Sequence, residues 1–140
     1  MLWLALLAGS GCERPPPAPP TVPGPPVFGI DDGSALAWRA RLPCADCDAI
    51  DTVLSLRREQ DQPRYELVET FIDGERGQRF PETGRWQREG VLLRLHADGG
   101  GQRIYAIEGD GRLSPRDGRG RRSERGDSRF LVPVTPDPTP

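Results

Sequence analysis

The sequence predicts an all-β domain, folded as a small antiparallel up-and-down barrel or a curled meander sheet. Three observations predict it. Between Val27 and Val134 no helical apolar pattern runs for more than a turn or two. Short stretches alternating apolar and polar residues fill that span instead, broken by glycine, aspartate and proline. The breaks have hairpin length, which makes consecutive strands antiparallel neighbours. Roughly seven or eight such strands must protect their edges, and closing or curling the sheet does so.

The elements follow in order. Residues 35–42 read as a first strand, ended by Pro43. Residues 50–56 form a second, with Ile50, Thr52, Leu54 and Leu56 on one face. In the third, Tyr65, Leu67, Glu69 and Phe71 share a face, while Val68 and Ile72 mark the other. Strands over 83–88 around Trp86, 91–96, 103–107 and 129–134 complete the set, with turns at 58–62, 89–90 and 98–102. The expected inward residues are Trp38, Leu42, Ile50, Leu54, Leu56, Tyr65, Leu67, Trp86, Val91, Leu93, Leu95, Ile104, Leu113, Phe130 and Val132. Such a core is thin, and a bound ligand or a cysteine bridge would reinforce it.

Residues 1–11 carry no charged side chain. They are shorter than the roughly 20 apolar residues needed to cross a bilayer. They fit the apolar part of a signal peptide, with Gly9, Ser10 and Gly11 as the small residues before cleavage. Cys12 follows directly, so the segment resembles a lipobox, and lipidation is expected on Cys12. Glu13, by resemblance to lipoprotein sorting rules, directs such a protein to the outer membrane. Residues 12–27 form a proline-rich linker that prefers polyproline II, extending about 3.1 Å per residue. A domain over 28–134 and a disordered tail over 135–140 complete the expected organisation.

Formal charge is −2, and all 19 basic residues are arginines. That balance excludes nucleic acid as the expected partner. A late cluster, Arg112, Arg116, Arg119, Arg121, Arg122, Arg125 and Arg129, reads first as a solvated glycine-rich loop. Contact with anionic lipid or lipopolysaccharide is the functional alternative.

Two of the three cysteines lie in Cys44-Ala45-Asp46-Cys47. Side chains three residues apart point to opposite faces of a strand, so the pair meets only if the chain turns between them. Pro43 favours that turn, and either a bridge or a shared metal ion becomes geometrically accessible. Dithiol catalysis needs a stabilised thiolate, which Asp46 and Asp48 disfavour, and no β-α-β pattern surrounds the motif. The expectation is therefore a protein that is not an enzyme. Thiolates select soft ions such as Cu(I), which accepts two ligands where zinc would not. The sole histidine, His96, falls out of phase with Leu93 and Leu95 and is expected to face solvent. A plain disulfide in an oxidising compartment explains the same pair, and chemistry alone leaves both readings open.

The stretch Leu42-Pro43-Cys44-Ala45-Asp46-Cys47, followed by Ile50-Asp51-Thr52-Val53-Leu54-Ser55-Leu56, resembles the N-terminal domain of the NlpE copper-resistance and envelope-stress lipoproteins. Further matches follow at residues 65–71 with Gly74, at 80–86, and at Tyr105, Gly109, Asp110, Leu113, Asp117 and Gly118. The resemblance covers residues 36–118, the first domain of the two-domain members. It implies a lipocalin-like barrel on the periplasmic side of the outer membrane, with Cys44 and Cys47 as the functional pair. It also implies copper tolerance and reporting of envelope stress to a sensor. The expected function is thus copper binding, as Cu(I), or redox sensing through Cys44 and Cys47. The alternative is a lipocalin-like binder of a small apolar ligand, with those cysteines as a structural disulfide.

Overall fold

A computed structural model of the chain describes residues 35–122 and 129–135, together with Pro17. The expected signal peptide, the lipidation site Cys12, residues 123–128 and all of the tail beyond Thr135 lie outside the described residues. So does the expected linker, Pro17 apart.

Eight strands form one antiparallel sheet. They are β1 (Ala35–Leu42), β2 (Ala49–Glu59), β3 (Gln62–Asp73), β4 (Arg76–Glu89), β5 (Leu92–Ala97), β6 (Gln102–Ile107), β7 (Leu113–Arg116) and β8 (Val132–Val134). Their order is β7-β6-β5-β4-β3-β2-β1-β8, a meander whose last strand returns to the first. Leu113 of β7 and Leu131 exchange two backbone hydrogen bonds of 2.9 Å, which nearly closes the sheet into a barrel. This closure pairs part of the edge that an open meander would leave bare: Ala37–Arg39 of β1 and Leu113 of β7.

The local chemistry explains the hairpins. Gln60 and Asp61 turn β2 into β3 with φ of 50° and 64°, the left-handed pair that suits the strand twist. The register then places one face of each strand from β1 to β7 inside, while β8 is exposed along its length. Trp38 opposes Leu54, Leu54 opposes Leu67, Trp86 opposes Leu95, and Leu93 opposes Tyr105. These residues, with Leu56, Tyr65, Ile107, Leu113 and Leu131, form the buried cluster. Trp38 Nε1 donates to the Gly111 carbonyl at 2.9 Å, tying the β6–β7 loop across the lower end.

Four expectations about the core need correction. Val91 lies in the turn after β4 and is 63% exposed. Ile104 is buried, but it points away from the core, opposite Arg94 and Arg116, while Tyr105 and Ile107 point in. Phe130 and Val132 give way to Leu131 between them. In both stretches consecutive residues are apolar, so alternation carries no phase information there. Two segments were also missed. Residues 76–82 are polar and contain Pro81, yet they extend β4 along β3; β7 contains Pro115, yet pairs with β6. Both prolines sit where a strand edge needs no N–H donor.

Candidate functional site: the cysteine bend and the barrel mouth

The barrel has a filled lower half and an open upper end. Below, Leu54, Leu56, Leu93, Leu95 and Leu113 are fully buried. Above, the inward-facing residues are partly exposed: Leu42, Ile50 and Phe71 are half-buried, and Phe80 is 46% exposed. The connection between β1 and β2 lies on the rim of this upper end and carries both cysteines.

Pro43 ends β1, and the chain bends through Ala45–Asp48 before β2 starts. The bend brings Cys44 and Cys47 together as a disulfide, with S–S 2.02 Å and Cα–Cα 5.2 Å. Both are half-buried, while Ala45 and Asp46 are exposed. Asp48 anchors the bend to the neighbouring hairpin. Its N–H donates to the Ile72 carbonyl at 2.8 Å, and its Oδ2 accepts from the Gly74 N–H at 2.8 Å. Gly74 adopts φ +59°, a left-handed conformation that favours glycine at this turn. The disulfide loop and the tip of the β3–β4 hairpin are therefore one hydrogen-bonded unit.

The metal-ligand inventory is small. His96 faces solvent on β5, as its phase implies. Among the described residues no group of three or more His, Cys, Asp or Glu side chains is placed to hold a metal ion. Two sulfurs alone fit an ion that accepts two ligands, as Cu(I) does, and only after the bridge is reduced.

Below the rim lies a polar network outside the expected site residues. Arg103 reaches Glu69 at 3.3 Å and Glu82 at 3.2 Å. Tyr65 Oη donates to Glu82 Oε1 at 3.0 Å. Burial, and then the Glu82 contact, push the Tyr65 phenol well above its ordinary range. Burial likewise raises the Tyr105 phenol. Thr52, directly across from Glu69, is 2% exposed, and its hydroxyl has no partner among the described residues. The signal for this network was present in the sequence: Glu69 falls in phase with Tyr65 and Leu67, which is costly unless polar partners face it. That its partner is Arg103 depended on β6, three strands away.

The model of the NlpE family, described as the NlpE N-terminal domain, matches residues 38–125. Among solved structures, the chain resembles the crystal structure of the Cpx pathway activator NlpE from Escherichia coli. That likeness has a TM-score of 0.52 and 31% identity, and covers 64% of this chain. It spans 45% of the E. coli chain, less than half its length. No curated protein matches the sequence.

Proposed function

The chain belongs to the family of NlpE N-terminal domains, and from that premise we propose a lipoprotein domain that binds Cu(I) or senses redox state through Cys44 and Cys47. In this reading the domain is not an enzyme. Cys12 carries the lipid that anchors it to the outer membrane, facing the periplasm, and its partner is an envelope-stress sensor. The E. coli relative is described as a Cpx pathway activator, which supports a role in stress reporting.

The observation that carries the proposal is the placement of the disulfide on a bend at the open end, joined through Asp48 to the β3–β4 hairpin. Two electrons and two protons from a dithiol donor would convert the bridge to two thiols and free the bend. Cu(I) would then displace the two thiol protons and bind both sulfurs. Asp46 and Asp48 supply negative charge beside that position.

A thiol count on freshly isolated protein, followed by Cu(I) titration of the reduced chain, tests this. Stoichiometric binding that vanishes in Cys44→Ser is the expected result. Asp46→Asn with Asp48→Asn should weaken binding by about 1 kcal/mol or less per exposed charge. An asparagine at 48 still offers an oxygen to Gly74, so the loop keeps its anchor. A pair that stays oxidised and binds no copper when reduced would leave a structural bridge. A second reading, binding of a small apolar ligand, draws on the uncovered inner face of Leu42, Ile50, Phe71 and Phe80. Native mass spectrometry separates the two by the adduct found, copper or lipid.

A further inference from the structure

β4 outruns the strand that follows it. It pairs with β3 over its first ten residues, from Arg76 to Arg85, but with β5 only from Gly84 onward. The last contact on the β5 side is the Asp98 N–H donating to the Thr83 carbonyl at 2.9 Å. Residues 76–82 therefore have one partner strand and one bare edge, projecting about 20 Å at about 3.4 Å per residue.

The direction of each backbone group follows from the ladder. Asp73 and Arg76 close a two-residue hairpin turn, so the groups of Arg76, Gln78, Phe80 and Glu82 face β3. Those of Gly77, Arg79 and Pro81 face away, in phase with Thr83, whose carbonyl reaches Asp98. Gly77 and Arg79 each present an N–H and a carbonyl there, and Pro81 a carbonyl only. None of these groups has a hydrogen bond among the described residues, and residues 73–81 are exposed throughout.

The two faces beside this edge differ in charge. On the inner face Phe80 stands edge-on to Phe71, with centroids 5.0 Å apart, and directly across from Glu69. Glu82 is two residues along. Glu69 and Glu82 share the single guanidinium of Arg103, which leaves one negative charge uncompensated within the network. On the outer face Arg79 is exposed and has no ion pair among the described residues.

We propose that this edge docks an extended segment of a partner protein by strand addition along Gly77–Pro81. The segment carries lysine or arginine opposite Phe80 and an acidic residue opposite Arg79. Main-chain bonds to Gly77, Arg79 and the Pro81 carbonyl supply the pairing, and alternate side chains supply the selection. The basic side chain lies beside the Phe80 ring and reaches the Glu69–Glu82 carboxylates. The acidic one pairs with Arg79 across the strands. Pro81, lacking an N–H, ends the footprint. The surface uses neither cysteine, so it stands or falls independently of copper and redox chemistry.

The test uses the full chain and a fluorescein-labelled hexapeptide that adds antiparallel to β4, Ile-Thr-Lys-Glu-Ile-Thr, followed by fluorescence anisotropy. Saturable binding is expected. Arg79→Pro removes one outward N–H without touching the β3 ladder and should weaken binding about tenfold. Arg79→Val keeps that N–H and isolates the lost charge, so its effect should be smaller. Phe80→Ala and Glu82→Gln should each weaken the probe, and exchanging its Glu and Lys should do the same. Circular dichroism confirms that each variant is folded. Absence of binding, unchanged binding in Arg79→Pro, or equal binding of a probe N-methylated on alternate amides would overturn the proposal. Self-association of the chain that Arg79→Pro abolishes would overturn the partner assignment in favour of a second copy.

Discussion

Tyr65 concentrates the chemistry of the barrel interior in one side chain. Its ring is buried with Leu56 and Leu67, and its hydroxyl is held by Glu82. Burial raises its pKa, so the neutral phenol is the form the fold favours. The resulting stability is fully present below about pH 10, the ordinary tyrosine value, and is lost as pH climbs toward the raised one. Tyr65→Phe should cost about 1 kcal/mol at neutral pH and flatten that alkaline loss. Denaturant melts from pH 8 upward check both effects. Asp98 shows the opposite sign. A hydrogen bond from Arg64 leads the contacts that hold its carboxyl below the usual range. Its contribution is present above the ordinary carboxylate pKa and fades as pH falls through the lowered one. Asp98→Asn should therefore have a shallower acid-unfolding profile than the wild type, followed by circular dichroism.

β4 behaves as two elements joined at Gly84. Above it the strand is an arm with one neighbour; below it lies within the barrel wall. A Cβ at Gly84 would sit 2.0 Å from the His96 carbonyl oxygen and 2.6 Å from Tyr65 Cε1. Neither the backbone of β5 nor a core ring can move aside cheaply. Gly84→Ala should thus cost about 1–3 kcal/mol, with faster amide exchange in β4 and β5 than elsewhere. Two residues later, Trp86 is 7% exposed and donates from Nε1 to the Arg57 carbonyl at 3.1 Å. Trp86→Ala should cost about 3–5 kcal/mol, and a melting curve little changed from wild type would contradict this packing. The phase of this lower half was legible because Trp86 stands alone among polar neighbours. The upper half was not: its polar residues gain their strand conformation from pairing with β3.

At the scale of the whole molecule, closure rests on Leu131 rather than on a long strand. It meets Leu113 by two hydrogen bonds and a buried contact, and β8 adds three residues beside β1. The expected site lies at the opposite end of the barrel from the loop held by Trp38, so its residues belong to the less buried half. Anchoring adds a prediction at this scale. Cys12→Ala should move the protein from the membrane pellet to the soluble periplasmic fraction, and unchanged pelleting would refute the lipid anchor.

The sequence by itself determined the all-β class, β1 to its ends, the faces of β2 and β3, and the turn that joins Cys44 to Cys47. Each is local: alternation of period two, a proline stop, and two sulfurs separated by a short bend. Tertiary structure alone decided the rest. The phase of β6 and of the Phe130–Val132 segment came from packing, because adjacent apolar residues are equivalent until a neighbouring strand sets the register. The Glu69–Arg103–Glu82 network joins side chains from three strands. The bond from Gly74 to Asp48 and the bare edge of β4 are likewise relations between segments distant in sequence. Local pattern reports which face of a strand is apolar; it does not report which strand lies beside it or where that neighbour ends.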